Sequence, residues 1–306
     1  MSISVSSLTK TYGSQKAIDH VSFTASNNEI VGFLGPNGAG KSTTMKIITG
    51  YLQADSGSAW VNDIDVNKNA LEAKKHIGYL PEGNPLYYEM YVREYLSFTA
   101  SLHKIKDAKK RIEEVIDLTG LRNESNKKTG QLSKGYKQRV GLAASLIHDP
   151  EVLILDEPTS GLDPNQIVEI RQVIKDLGKN KTVLFSSHIL QEVESICDRI
   201  IIINKGNIVA DDTLSNLQLS GKNYTIVAVQ FSEKVDPQLL LAMNGIQKLE
   251  EQLANTYKIQ TTDPESIKKQ ILKLSLDNNV GITSLQSETK SLEEVFRNLT
   301  GNIQNN

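Results

Sequence analysis

The chain has 306 residues, of which 39% are hydrophobic and 23% charged, so its composition is that of an ordinary soluble protein long enough for about two domains. A formal net charge of −2 provides no strong field for nucleic acid or for an anionic membrane, and we expect no nucleic-acid partner. No apolar run approaches the roughly 18 residues that cross a bilayer, and the N-terminus lacks the features of a secretory signal. The single cysteine, Cys197, excludes an intrachain disulfide, so we expect a cytosolic protein.

The first half of the chain alternates predicted strands with predicted helices. Strands are predicted at residues 3–5, 17–23, 30–34 and 76–80. From about residue 85 to residue 148 the pattern is helical. One of these helices is predicted to end at Gly120, and another to run from Ser133 to His148.

The second half continues this alternation until the composition changes near residues 220–223. Strands are predicted at residues 152–155, 182–186 and 200–203, and a helix at 165–177 that Gly178 closes. After the change, the predicted order is strand, helix, strand, strand, helix, strand, which is the ferredoxin-like arrangement. The last helix is amphipathic, with an apolar face formed by Leu292, Val295, Phe296 and Leu299. We predict a parallel α/β domain over residues 1–218 and a small α+β packing or dimerisation domain over 219–306.

The segment GPNGAGKST at residues 35–43 is the most specific motif in the chain. It fits G-x-x-x-x-G-K-[ST], and it lies between a predicted buried strand and a predicted helix start, the context that the motif requires. Its glycines allow backbone N–H groups to turn inward, and the helix N-terminus adds partial positive charge. Lys41 can then reach the β- and γ-phosphates, and the Ser42 hydroxyl can ligate Mg²⁺. We assign nine residues to binding a nucleoside triphosphate: Gly35, Pro36, Asn37, Gly38, Ala39, Gly40, Lys41, Ser42 and Thr43.

Two carboxylates follow the predicted strand at residues 152–155. The sequence VLILDEP delivers Asp156 and Glu157 to the C-terminal edge of a sheet, where α/β folds place their ligands. We expect Asp156 to hold Mg²⁺ directly or through water, and Glu157 to polarise the attacking water. These roles indicate that the bound nucleotide is hydrolysed.

The segment LSKGYKQ, at the start of a predicted helix, narrows the family. Ser133 is a good N-cap residue, and Gly135 allows the close approach of another backbone. Together with the phosphate loop, this segment resembles the signature of the ATP-binding cassette (ABC) family, which is usually LSGGQ. Lys134 and Tyr136 stand where that signature has its first glycine and its glutamine.

Four further positions correspond to positions of the family's nucleotide site: three match its residues, and the fourth, Glu82, departs from them. The sequence SGLD matches the D-loop and ends in Asp163, which is assigned to the nucleotide site. His188 corresponds to the switch histidine that hydrogen-bonds the γ-phosphate, and Tyr12 to the aromatic residue that stacks on adenine. Glu82 stands where the family usually has a glutamine that contacts Mg²⁺. Its carboxylate can ligate the metal, but it cannot donate a hydrogen bond while ionised, so the family's role does not transfer directly.

The resemblance covers about residues 2–215. It implies a P-loop NTPase fold with an N-terminal antiparallel β subdomain and a helical subdomain over about residues 85–150. It also implies that Lys41, Glu157 and His188 are catalytic and that ATP and Mg²⁺ are the cofactors. Two cassettes of this family dimerise head to tail, so that the signature of one completes the ATP site of the other. The second cassette is then another copy or a related subunit, and ATP closes the dimer.

Most single cassettes without a membrane segment are transporter subunits. Three segments of this chain look like those of the ABC-2-type exporters: LPEGNPLYYEMYVREYLSF, SGLD and SLEEVFRNLT. Within that class, the chain resembles gliding-motility-associated ATP-binding subunits. The resemblance implies an integral-membrane permease partner and a peripheral location on the inner face of the cell membrane. In the family, a coupling helix of the membrane subunit docks on the segment that here contains Tyr87, Tyr88, Tyr91 and Tyr95. We therefore predict that these tyrosines form a docking surface. Core packing is the alternative for Tyr91 and Tyr95.

Two alternative functions are less well supported. Soluble cassette ATPases that act on ribosomes or DNA usually carry two cassettes or a long coiled-coil insertion, and this chain has neither. A regulatory protein with an inactive site is disfavoured because Lys41, Asp156, Glu157 and His188 are all present.

Overall fold

The computed structural model describes residues 1–219, 225–252, 255–288 and 292–301, which form two compact units. The first unit spans Met1–Thr213, and the second begins at Leu214. The composition change at residues 220–223, on which the predicted boundary at residue 218 was based, lies outside the described residues. The exact boundary stays a prediction. No helix of the described residues is long and apolar enough to span a membrane.

The first unit combines two sheets with seven α-helices. Its strands are β1 (Ile3–Tyr12), β2 (Gln15–Ala25), β3 (Ile30–Leu34), β4 (Ser56–Val61), β5 (Ile64–Asp65), β6 (Ile77–Leu80), β7 (Val152–Asp156), β8 (Thr182–Ser187), β9 (Arg199–Asn204) and β10 (Asn207–Thr213). Its helices are α1 (Lys41–Ile48), α2 (Ala70–Lys75), α3 (Val92–Leu102), α4 (Ala108–Leu118), α5 (Lys134–Leu146), α6 (Pro164–Gly178) and α7 (Leu190–Ile196), with short 3₁₀ turns at Arg122–Glu124 and Thr129–Gln131.

The N-terminal sheet is antiparallel, with strand order β2-β1-β4-β5, as the resemblance implied. Strands β1 and β2 form one long hairpin in which Tyr12 pairs with Gln15. Both strands are longer than the sequence predicted. Their register shifts between Val5 and Leu8, where Ser7 has a φ of +51°. A bulge of this kind breaks the two-residue alternation on which the sequence prediction depends. Strands β4 and β5, which are short and partly polar, were not predicted.

The second sheet has the order β10-β9-β3-β8-β7-β6, and all its pairs are parallel except β10 with β9. Every residue of β3, β7 and β8 is buried, as expected of central parallel strands covered on both faces. The predicted parallel α/β sheet is confirmed. Because parallel strands end at the same edge, the segments that follow β3, β7 and β8 meet there. These segments are the phosphate loop, the pair Asp156-Glu157 and the loop of His188.

The helical prediction for residues 85–148 is also confirmed. Gly120, with a φ of +66°, follows the end of α4, and the Ser133 hydroxyl caps α5 by accepting a hydrogen bond from the Tyr136 N–H. The prediction that Gly178 closes its helix is wrong, since Gly178 is the last residue of α6 itself. A Cβ atom there would lie 2.3 Å from Cδ1 of Ile30, so this glycine serves close helix–strand packing.

The second unit has the predicted ferredoxin-like order of elements. Its elements are α8 (Leu214–Leu219), β11 (Thr225–Phe231), α9 (Pro237–Leu241), β12 (Ile246–Gln252), β13 (Thr256–Thr261), α10 (Pro264–Asn278), β14 (Ile282–Glu288) and α11 (Leu292–Thr300). The strands form an antiparallel sheet in the order β12-β13-β11-β14 around a separate core. In that core the fully buried Tyr257 donates its hydroxyl proton to the Val235 carbonyl at 2.6 Å. The last helix is present, but the side chains of Leu292 and Val295 lie outside the described residues, so its apolar face stays a prediction.

Candidate nucleotide-binding site

The phosphate loop joins the buried strand β3 to helix α1. Gly38 and Gly40 have φ values of +77° and +112°, which other residues rarely adopt. Gly40 also packs so closely that a Cβ atom there would lie 2.7 Å from the Ala17 carbonyl oxygen of β2. The Gly35 N–H points to the Ser187 carbonyl at 3.4 Å, and the Ala39 N–H donates to the Pro36 carbonyl at 3.1 Å. The two sheets therefore hold this loop from both sides.

Lys41, the first residue of α1, folds back over the loop and is 6% exposed. Its Nζ donates to the carbonyl oxygens of Gly35 at 2.8 Å and Pro36 at 3.3 Å. The same Nζ lies 3.3 Å from Oε1 of Glu157. The ammonium group therefore lies inside the loop, with a buried carboxylate as its counter-ion.

Glu157 lies at the centre of the site. Its φ of +50° is unusual for a residue other than glycine, and such strain is typical of functional positions. The backbone N–H of Glu157 donates to Oγ of Ser186 at 2.9 Å. Its second carboxylate oxygen, Oε2, lies 2.8 Å from Nδ1 of His188. The structure thus brings together Lys41, Glu157 and His188, the three predicted catalytic residues.

Asp156 is 1% exposed and lies opposite Ser186 in the β7–β8 register. Its Oδ1 accepts a hydrogen bond from the Ser186 hydroxyl at 2.7 Å, so one serine holds both acidic residues of the predicted pair. In parallel strands β6 and β7, Tyr79 pairs with Ile154, two residues before Asp156, so Tyr79 and Asp156 share a face of the sheet. The buried Tyr79 hydroxyl has no hydrogen-bond partner among the described residues.

Glu82 lies exposed in the turn that follows β6. Burial, followed by the negative charge of Asp156, by Tyr51 and by Glu82, raises the pKa of Tyr79 above its ordinary value. No group of three or more His, Cys, Asp or Glu side chains among the described residues forms a metal cage. The carboxylates of Asp156 and Glu82 are donors of the kind that suits Mg²⁺, which usually takes one or two carboxylates and completes its shell with water and phosphate oxygens.

The predicted signature and D-loop residues form a second group. Asp163 caps helix α6 by accepting a hydrogen bond from the Gln166 N–H at 3.0 Å. A Cβ atom on Gly135 would lie 2.4 Å from the side-chain oxygen of Gln166, so the first turns of α5 and α6 are in contact. Ser133 is exposed at the N-terminus of α5, next to Gly135.

Tyr12 is 52% exposed at the tip of the β1–β2 hairpin. Strand β2 of this hairpin touches the phosphate loop at Gly40 through Ala17. The aromatic ring is therefore on an element that contacts the loop, with much of its surface open to a ligand.

Sequence reasoning missed four residues that shape the site: Tyr79, Asn84, Ser186 and Glu192. Ser186 had a usable signal, since it is a polar residue near the end of the apolar run TVLFSS and so belongs at the functional edge of the sheet. Asn84 donates through Nδ2 to the Lys137 carbonyl of α5 at 2.6 Å, and nothing in the local pattern predicts that contact.

Residues 18–160 match the family model described as ABC transporter. The chain is 34% identical over 299 residues to the linearmycin resistance ATP-binding protein LnrL of Bacillus subtilis, and the match covers 95% of this chain and 96% of that protein. The chain belongs to the ABC transporter ATP-binding proteins. It is accordingly an ATPase of the ATP-binding cassette type and the ATP-binding subunit of an ABC transporter.

Further similarities extend over both units of the chain. The chain is 35% identical over 302 residues to the bacitracin transport ATP-binding protein BcrA of Bacillus licheniformis, and the match covers 98% of this chain and 97% of that protein. Residues 217–300 match a model described as the C-terminal domain of DrrA1-3-like ATP-binding proteins. A solved dimeric structure of the cassette MJ0796, in a post-hydrolysis state bound to ADP and Pi, matches with a TM-score of 0.64 and 26% identity over 69% of this chain and 98% of that one.

Proposed function

We propose that the chain is the ATP-hydrolysing subunit of an ABC-2-type membrane exporter, and that two cassettes close on ATP to drive it. The contact between Lys41, Glu157 and His188 carries this proposal. In it, Lys41 binds the β- and γ-phosphates, Glu157 orients the attacking water, and His188 contacts the γ-phosphate. The 2.8 Å contact from His188 to Oε2 of Glu157 supports this, because it orients the carboxylate from the side opposite Lys41.

We further propose that Mg²⁺ is held by Ser42, Asp156 and Glu82 together with the nucleotide. When bound, the metal would neutralise charge on the phosphates. The Ser186 hydroxyl fixes Asp156 in place, which leaves the other carboxylate oxygen of Asp156 to face the ligand. The nine residues of the phosphate loop and Tyr12 complete the half of the site that one chain supplies.

The other half is proposed to come from a second cassette, either another copy of this chain or a related subunit. Ser133 and Gly135 begin helix α5, whose N-terminal N–H groups and partial positive charge suit an anion. Asp163 begins α6 beside them. The dimer reported for the similar MJ0796 cassette supports this pairing.

The mutation Glu157→Gln tests this mechanism. We expect the variant to bind ATP at least as tightly as the original chain, since its Lys41 no longer has an ionic partner to give up. Turnover should fall by about a hundredfold or more, because the amide is not a general base. With ATP and Mg²⁺ the variant should elute as a dimer in size-exclusion chromatography.

The matched control is Glu151→Gln, which replaces an exposed glutamate just before β7. It should behave as the original chain does. Normal turnover in Glu157→Gln would refute the catalytic assignment, and a variant that binds ATP but stays monomeric would refute the paired cassette.

The exporter assignment is supported by the relatives that match this chain almost end to end. One is a linearmycin resistance protein and the other a bacitracin transport protein. We propose an integral-membrane permease as the partner, which places the cassette on the inner face of the cell membrane. The gliding-motility assignment stays a prediction, since the names of these relatives do not bear on it.

Of the four tyrosines predicted to form a docking surface, Tyr87, Tyr88 and Tyr91 are exposed, and we propose this aromatic patch as the docking surface for the permease. Tyr95 is only partly exposed and packs against Tyr87 with ring centroids 6.2 Å apart. Tyr87 packs against Phe98 with ring centroids 5.8 Å apart and still keeps 56% of its surface exposed. Tyr88 is 58% exposed, and Nζ of Lys137 lies 4.9 Å from the centre of its ring. Contiguous exposed aromatic surface of this kind is typical of protein interfaces. Because Lys137 belongs to α5, a partner on this patch would contact the helix that carries Ser133.

Co-purification from membranes, with identification of the captured permease, tests the patch. The double substitution Tyr87→Ala and Tyr88→Ala should abolish capture of the permease while ATP binding by the isolated chain stays normal. Leu118→Ala, which removes another half-exposed apolar side chain, should leave capture intact. Full capture by the double variant would refute the docking surface but not the ATPase mechanism.

A further inference from the structure

Glu192, on helix α7, is a buried carboxylate that the mechanism above does not use. It is 1% exposed. Its Oε2 accepts two hydrogen bonds, from the hydroxyls of Thr159 and Ser187, both at 2.7 Å. Both partners are buried as well.

These two partners flank the proposed catalytic residues. Thr159 lies two positions after Glu157, in the turn that follows β7, and Ser187 directly precedes His188. Ser187 is itself fixed, since its hydroxyl accepts from the Ile189 N–H at 2.9 Å and its carbonyl faces the Gly35 N–H. One oxygen of Glu192 therefore ties the segment of Glu157 to the segment of His188.

The other oxygen of Glu192 faces helix α6. Oε1 lies 3.8 Å from Nη2 of Arg171, a distance at which the two charges attract without forming a hydrogen bond. Among the described residues, neither Oε1 of Glu192 nor Nε of Arg171 has a hydrogen-bond partner, although both atoms are buried. This ion pair between α7 and α6 therefore lacks a direct hydrogen bond.

The charge of Glu192 is what needs explaining. A neutral glutamine could accept both hydroxyl hydrogen bonds through its carbonyl oxygen, which has two lone pairs. Burying a carboxylate is far more costly than burying an amide, unless an opposite charge faces it. Arg171 is the cation that faces it. The carboxylate is therefore suited to the contact with α6 as well as to the two hydroxyls.

We infer that Glu192 is a positioning residue for ATP hydrolysis. It holds the segments of Glu157 and His188 at a fixed separation, and through Arg171 it links that separation to α6, whose N-terminus Asp163 caps. This inference rests on the roles proposed above for Glu157, His188 and Asp163. Glu192 touches no reacting atom, and its effect passes through Thr159, Ser187 and Arg171.

Two sets of variants test the two sides of this residue. Glu192→Gln keeps the hydroxyl acceptor and removes the charge, and Arg171→Gln removes the cation. Each should lower kcat about tenfold or more while the KM for ATP and the affinity for a fluorescent ATP analogue change less than twofold. The double variant should be no slower than the slower single variant, because both break one interaction.

Thr159 tests the hydroxyl side without altering any charge. Thr159→Val keeps the shape but removes the donor, and it should lower kcat in the same way. Thr159→Ser restores the donor and should recover at least half of the original turnover. Glu194→Gln, on the same helix, is the matched control and should leave kcat unchanged.

The outcomes separate this inference from the function on which it rests. Original turnover in Glu192→Gln, additive effects of Glu192→Gln and Arg171→Gln, or equal turnover in Thr159→Val and Thr159→Ser would overturn it. Should Glu192→Gln fail to fold, the Thr159 pair decides by itself. If the original chain binds ATP without hydrolysing it, or Glu157→Gln turns over normally, the proposed function fails instead.

Discussion

Lys41 and Glu157 form a buried ion pair across the phosphate loop, with Nζ of the lysine 3.3 Å from Oε1 of the glutamate. Both side chains are less than a tenth exposed. The carboxylate therefore balances the charge of the ammonium group. In the proposed mechanism, the phosphates of ATP would take the place of Glu157 as the anionic partner of Lys41, and Glu157 would then be free to orient the attacking water.

Replacing Lys41 with alanine tests the loop directly. We expect Lys41→Ala to weaken ATP binding tenfold or more, because charge-assisted hydrogen bonds contribute about 1.5–3 kcal/mol each. It also leaves Glu157 buried beside the phosphates with no compensating cation. Equilibrium titration with a fluorescent ATP analogue measures the change. Lys46→Ala, on the last turn of the same helix, is the control, and equal affinities in the two variants would contradict the assignment.

Glu82 stands where the resemblance to the family predicts a glutamine, and Glu82→Gln isolates the effect of the charge. A neutral amide is a weaker ligand for a hard cation, so we expect the Mg²⁺ concentration at half-maximal turnover to rise several-fold. The measurement is ATPase activity over a Mg²⁺ titration at saturating ATP. Glu89→Gln, in the exposed loop a few residues on, should leave that concentration unchanged. An unchanged Mg²⁺ dependence in Glu82→Gln would show that the carboxylate has no role in metal binding.

The phosphate loop and the carboxylates were predictable because each lies at the end of a strand that is apolar throughout. The apolar run of residues 152–155 is only four residues long and is flanked by prolines at 150 and 158, which favours a buried strand over a helix, so Asp156 at its end is expected at the functional edge. The same reasoning fails for Glu192 and Asn84. Their roles depend on residues 33 and 53 positions away, Thr159 and Lys137, and no local pattern encodes such contacts. A bulge obscured the full length of β1 and β2, and β4 and β5 were missed because they are short and partly polar.

His148 predicts how stability changes with pH. Burial, followed by the nearby charges of His103, Lys181 and Arg111, lowers the pKa of His148 from 6.5 to about 4, and its ring stacks on that of His103 with centroids 4.0 Å apart. Between those two pH values the unfolded chain binds a proton at His148 that the folded chain does not. The contribution of His148 to the free energy of unfolding is therefore fully present above about pH 6.5 and is lost as the pH falls towards 4.

Thermal unfolding of His148→Gln across this range checks the sign. The variant loses the stacked ring and cannot bind a proton at this position, while His103 is present in both chains. We expect the melting temperature of the original chain to exceed that of the variant at pH 7.5, and the difference to shrink steadily by pH 4.5. A difference that stays constant or widens on acidification would contradict the direction given for the pKa.

Gly141 allows the loop of Glu82 to dock on helix α5. A Cβ atom at Gly141 would lie 2.4 Å from Oδ1 of Asn84, whose Nδ2 donates to the Lys137 carbonyl. Gly141→Ala should therefore expel the Asn84 side chain, and we expect it to lower the free energy of unfolding by about 1–3 kcal/mol. Asn84 has a φ of +31°, so Asn84→Gly removes the side chain without straining the backbone.

The combination of both substitutions decides whether this contact is the cause. Once Asn84 is glycine, the side chain nearest to the added methyl group of Gly141→Ala is gone. Alanine then favours the helix over glycine by about 1 kcal/mol, so the same substitution should become stabilising. Denaturant unfolding of the four chains gives the coupling energy. A penalty for Gly141→Ala that is equal in both backgrounds would mean that Asn84 does not account for it, and that the loop of Glu82 is held on α5 by other contacts.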